Sequence, residues 1–183
     1  MNEITWTNKT VIHPLGVCEG ATSKWLFTIG AEGIQKANQL KAVDCDELQK
    51  LVESGQFTWS TDLKEKWAEY VKDKAYLEFE PFEEQTSSVL KEMGKSDMNW
   101  SELNRLLSRL SEGDFGYISA SLEHGDGHAL AIYRSQDKIY FFDPNNAIYE
   151  ALTQEVDTLS KKIIENVKKW SNVVIKWGKI KKK

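Results

Sequence analysis

The sequence predicts a single α+β domain, with helices first and an antiparallel sheet after them. Three observations carry this. Between residues 31 and 111 the apolar side chains recur every three or four positions, the period of a helix with one buried face. At Asp114 the pattern changes to period two and the composition to β-branched and aromatic residues. The 183 residues show no repeat, low-complexity tract or long linker, so 1–183 reads as one domain with a sizeable core.

Residues 1–15 read as irregular, with Pro14 breaking any regular element. In GVCEGATSKWLFTIG the residues Val17, Ala21, Trp25 and Ile29 line one helix face, bracketed by Gly16 and Gly30. Cys18 then falls in the first turn, at the positive end of the helix dipole, a position that favours a thiolate. Gly20, Ala21 and Ser23 are small and leave room around the sulfur. A second helix runs from about Asp44 to Glu53, stopped by Gly55, with Cys45, Leu48 and Val52 inward. Ser60 or Thr61 caps a third, carrying Leu63, Trp67, Tyr70 and Val71. A fourth follows Pro81 with Phe82, Gln85, Val89 and Met93. A fifth, from about Asn99 to Leu110, carries Leu103, Leu106, Leu107 and Leu110, and Gly113 ends it. These stripes are packing surfaces.

FGYISASL, HALAIY, KIYFFD and AIYEAL read as successive strands. TQEVDTLSKKIIENVKKW returns to helix, with Val156, Leu159, Ile163, Ile164 and Val167 inward. SNVVIKW is a last strand, at an edge or back in the sheet, and the basic tail GKIKKK reads as a solvated, frayed end.

Composition excludes several function classes. A net charge of −4 gives no general attraction to nucleic acid or anionic membrane. No apolar run approaches the ~20 residues of a membrane span. The N-terminus lacks the charged and apolar regions of a signal peptide, so a soluble protein with no cleaved secretory signal is expected. Two cysteines, Cys18 and Cys45, do not make a disulfide framework.

The chemistry concentrates in His124–Glu150. Side chains alternate along a strand. His128, Leu130 and Ile132 therefore share a face of one strand, and Ile139, Phe141 and Asp143 share a face of the next. A reversal at RSQD centred between Ser135 and Gln136 sets His128 directly opposite Asp143. A carboxylate beside an imidazole fixes its tautomer and stabilises its charged form. Cys18 at a helix start supplies a nucleophile, His128 a base and Asp143 an orienting acid. The order Cys, His, Asp, with the cysteine on the first helix, is the papain-like arrangement. In HGDGH the residues His124, Asp126 and His128 resemble metal ligands, but no further ligand stands nearby. No metal and no other cofactor is assigned.

Three blocks, GVCEGATSKWL, GHALAIY and YFFDPNNAIYE, resemble the YopT-type cysteine proteases of bacterial effectors. Cys18 lies 110 residues before His128, and His128 lies 15 before Asp143. The resemblance implies a papain-like fold with N-terminal helices and a central antiparallel sheet. It also implies endopeptidase activity on host proteins after delivery into a host cell, with Cys18 as nucleophile, His128 as base and Asp143 as third member. Papain-like enzymes place Gln or Asn a few residues before the cysteine to bind the oxyanion. Here the residues five and six before Cys18 are His13 and Ile12, so His13 is the assigned donor beside the Cys18 N–H, with Asn8 as the alternative. Deamidases, transglutaminases and amidases use the same thioester chemistry, and a binding module on an inactive scaffold is the rival from another class.

Overall fold

The computed structural model describes residues 1–6, 18–57, 66–67, 69–71, 75–86, 97–122, 127–168, 170 and 172–182. Its centre is a seven-stranded antiparallel sheet. The strands are β1 (Asn2–Thr5), β2 (Ala75–Thr86), β3 (Asp114–Ser121), β4 (Gly127–Arg134), β5 (Lys138–Asp143), β6 (Ala147–Leu152) and β7 (Asn172–Lys182). Across the sheet they run β1-β6-β5-β4-β3-β7-β2. The helices are α1 (Cys18–Glu32), α2 (Ile34–Ala37), α3 (Asp46–Glu53), α4 (Asp97–Ser108) and α5 (Val156–Val167). Residues 66–67 and 69–71 are also helical.

Helices cover both faces of the sheet, so the central strands are buried on both sides. On one face α1 and α3 pack Trp25, Phe27 and Leu48 against Phe115, Ala131, Tyr133 and Phe142. On the other, Leu103 and Leu107 of α4 and Leu159 and Ile163 of α5 meet Ile118, Leu130, Ile132 and Phe141. This explains why HALAIY and KIYFFD are almost continuously apolar: two-sided burial removes the polar half of the alternation. The expected face partition holds, with Leu130, Ile132, Ile139 and Phe141 in one core and Ala131, Tyr140 and Phe142 in the other.

Four expectations are corrected. Asn2–Thr5 is not irregular but an edge strand paired with β6. Ala75–Thr86 is a strand on the opposite edge, not a helix after Pro81, and it carries Phe82 and Gln85; Val89 and Met93 lie outside the described residues. Pro81 falls in the bulge between Phe79 and Glu84, where a missing N–H costs no ladder bond. The basic tail is not frayed: β7 runs to Lys182 between β3 and β2, with Ile180 buried. Gly30 does not stop α1, which continues to Glu32. The tip of the Trp67 ring lies where a Cβ on Gly30 would sit, so the glycine makes room for a packed ring.

Gly113 does not end α4, which stops at Ser108; it stands just before β3. Its φ is +91°, its N–H donates to the Arg134 carbonyl, and its own carbonyl accepts the Ile180 N–H. A Cβ there would meet the Ile180 carbonyl oxygen at 2.7 Å. Gly113→Ala therefore combines left-handed strain with a backbone clash at the junction of three strands. It lowers the free energy of unfolding by about 2 kcal/mol or more, read as a shift in the urea midpoint.

Candidate active site

Cys18 is the first residue of α1 and is partly exposed. The helix behind it is buried on nearly all sides, from Gly20 to Gly30 apart from Lys24. The first N–H groups of a helix have no partner within it. One of them, at Gly20, donates to Gln49 Oε1 at 2.7 Å, and Gln49 is a buried residue of α3. The small size of Gly20 serves this contact. A Cβ on it would meet the Gln49 Cα and Cβ at 2.8 and 2.7 Å. Cys18 and Cys45 are both free thiols. Burial, helped by the Asp44 charge, pushes the Cys45 thiol up to about 12 and keeps it out of chemistry at neutral pH.

His128 and Asp143 lie on the same sheet face, but their register differs from the expected one. The β4–β5 pairing is Ala131↔Phe142 and Arg134↔Ile139, and the Ser135 N–H donates to the Lys138 carbonyl. The loop is therefore Gln136–Asp137, one residue later than expected. This slides the pairing by two residues, so Asp143 lies diagonally from His128 and not directly opposite. An even shift leaves every side chain on its face. The diagonal is within reach: His128 Nε2 and Asp143 Oδ1 are 2.6 Å apart, with the residues 6 % and 1 % exposed.

Asp143 is held from several directions. Its Oδ1 also accepts the Asn145 N–H at 3.0 Å. Its Oδ2 accepts from Asn146 Nδ2 at 2.7 Å and from Asn166 Nδ2, on α5, at 2.8 Å. Asp143 also opens the β5–β6 turn, its carbonyl accepting the Asn146 N–H with Pro144 in between. The turn and the contact with His128 thus use one residue. Trp6, after β1, fixes the outside of this turn by donating Nε1–H to the Pro144 carbonyl at 2.9 Å.

The electrostatics follow from these contacts. Burial alone would pull the His128 pKa down. The hydrogen bonds to Asp143 and Cys18, with the charges of both, override it and raise the ring to about 9. Burial would likewise raise the Asp143 pKa, but the His128 hydrogen bond and charge, with the Asn145 and Asn146 donors, hold it below the usual carboxylate value. Trp170 stacks on the imidazole, with centroids 5.5 Å apart and planes at 19°. The structure therefore brings Cys18, His128 and Asp143 to one place, although Cys18 comes from a helix on the other face of the sheet.

His13, Asn8, His124 and Asp126 lie outside the described residues. Gln49, Asn146, Asn166 and Trp170 are site residues that the sequence reading does not find. Gln49 carries a legible sign, because it sits beside Leu48 on the inward side of an amphipathic helix. Among the described residues no helix is long and apolar enough to cross a membrane.

Known proteins resemble this chain in fold and in sequence family. No curated protein gives a significant match to the sequence. The crystal structure of the Pseudomonas avirulence protein AvrPphB superposes with a TM-score of 0.51 at 12% identity. The superposition covers 88% of this chain and 90% of that one, so the two share a fold. The model of the peptidase C58 family, described as Yersinia/Haemophilus virulence surface antigen, matches residues 5–171. That match spans most of the sequence, and the chain belongs to this YopT-like family of cysteine-type peptidases.

Proposed function

We propose that the chain is a thiol endopeptidase in which Cys18 is the nucleophile, His128 the general base and acid, and Asp143 the residue that orients the ring. The proposal extends to its substrates, which are host-cell proteins. One observation carries it: a partly exposed thiol at a helix start adjoins an imidazole whose Nε2 is bound by a buried carboxylate.

The steps follow from that arrangement. Asp143 occupies Nε2, so Nδ1 exchanges the proton with the thiol. Proton transfer gives a thiolate and an imidazolium, and the thiolate attacks the scissile carbonyl carbon. The tetrahedral oxyanion is bound by the Cys18 N–H at the helix start and by the side chain of His13. As the C–N bond breaks, His128 returns its proton to the leaving amine and a thioester remains. His128 then takes a proton from water, hydroxide adds to the thioester, and the acid product leaves with the thiol restored. Asp143 stays ionised throughout, since four donors surround it.

Cys18→Ala abolishes turnover. Asp143→Asn lowers kcat by roughly 10²–10⁴ with little change in KM, because a wrongly held ring weakens the transition state more than substrate binding. Mass spectrometry of a host lysate treated with wild type and with Cys18→Ala decides the reaction. New peptide termini that depend on Cys18 support proteolysis. Deamidated residues or cross-links in their place overturn it in favour of the related thioester chemistries.

The pH dependence has a definite sign. His128 has a raised pKa, so the stability from its pairing is complete below its ordinary value of 6.5 and is lost as pH rises through about 9. NMR titration of the His128 ring gives a midpoint near 9 in the wild type. In Asp143→Asn the midpoint falls to the ordinary value or below, because burial is then less opposed. A wild-type midpoint at the ordinary histidine value would refute the buried ion pair.

A further inference from the structure

Thr22 lies four residues after Cys18, one turn along the same face of α1. It is fully buried, and its hydroxyl donates to the carbonyl of Ala129 at 3.0 Å. Ala129 follows His128. This single bond therefore joins the helix that carries the thiol to the peptide next to the imidazole.

The strand pairing explains why that carbonyl takes a donor from outside the sheet. In the β4–β5 hairpin the Ser135 N–H bonds the Lys138 carbonyl. Antiparallel pairs alternate, so the backbone groups of Tyr133, Ala131 and Ala129 aim at β5. The β4–β5 pairing ends at Ala131↔Phe142, and β5 turns away into β6 at Asp143–Asn146, so Ala129 lies two residues beyond the last pair. Ala129 has no partner in that ladder, and its carbonyl accepts from the Thr22 hydroxyl instead. A buried carbonyl left without a partner is costly, so the bond draws α1 to one distance from β4.

We propose that Thr22 is a positioning residue for the reaction, its hydroxyl setting the distance between the nucleophile's helix and the base's strand. The proposal rests on the Cys18–His128–Asp143 reading. Thr22 touches neither substrate nor reacting atoms; it acts through the Ala129 peptide on the ring beside it. Valine has the same branched shape without the donor, and serine keeps the donor without the methyl group.

The test is alkylation by iodoacetamide, which needs no knowledge of the substrate. Cys45 is fully buried and its thiol is pushed up to about 12, so the rate reports Cys18. Four proteins are compared across pH: wild type, Thr22→Val, Thr22→Ser and His128→Ala, each checked for folding by circular dichroism. The expected result for Thr22→Val is a loss of roughly tenfold or more in the alkylation rate near neutral pH, since small displacements in such pairs are costly. The step set by His128, near pH 9 in the wild type, also moves to lower pH, because the ring loses what Cys18 contributes. Thr22→Ser restores both towards wild type. If Thr22→Val folds less stably yet alkylates at the wild-type rate with an unmoved step, Thr22 is a packing residue and the proposal is wrong. It is equally wrong if Thr22→Ser is as impaired as Thr22→Val, since the methyl group then matters and the hydroxyl does not. Should Thr22→Val not fold, Thr22→Ala against Thr22→Ser makes the same comparison. A separate failure marks the parent reading: wild-type Cys18 reacting no faster than a free thiol, with His128→Ala unchanged, removes the triad and this proposal together.

Discussion

A buried charge pair governs this structure. Taking an imidazolium and a carboxylate out of water costs several kcal/mol per ion, and their mutual attraction offsets that only when further hydrogen bonds satisfy the remaining lone pairs. Asp143 meets this condition with donors from three places: the neighbouring strand, its own turn and α5. Each of those segments must therefore be in position before the pair is stable. The turn is braced from outside by Trp6, and the imidazole is covered by Trp170. The C-terminal half of the chain folds around the acid, and the acid in turn holds the base.

The nucleophile comes from the other layer. α1 is buried almost all round, with Gln49 at its start and Phe142 of β5 against Trp25. Its small residues are explained by close approach: Gly20 admits α3, and Gly30 admits Trp67. A helix locked this tightly has little freedom to slide. Packing thus orients the thiol's helix and the ring's strand each on its own side of the sheet, and the Thr22–Ala129 bond joins the two.

Much of this is legible in the sequence, for identifiable reasons. The face shared by His128 and Asp143 follows from residue parity, which survives any even error in register. The register itself is not legible, because RSQD accommodates a reversal at more than one position and only the Ser135–Lys138 bond decides between them. The edge strands are the hardest to see. Ala75–Thr86 is rich in glutamate, which favours helix as a weak prior, and pairing with β7 overrides it. The register sets Glu78 opposite Lys179 and Glu84 opposite Lys176. The acidic strand and the lysine-rich tail, each misleading alone, are neighbours in the sheet. Asn166 is illegible for a different reason. It is a polar residue on a helix with a regular apolar stripe, and nothing local marks the one that reaches an acid 23 positions earlier.

The turn at Asp143–Asn146 bears on both layers. Pro144, between Asp143 and Asn145, favours the turn that directs the carboxylate at His128. The same reversal carries the chain from β5 into β6 and ends the β4–β5 pairing at Ala131↔Phe142, two residues short of Ala129. The Ala129 carbonyl accepts from Thr22 of α1 instead of from a strand. The Asp-Pro step thus acts on the acid directly, and the end of the ladder it marks is where β4 meets the nucleophile's helix.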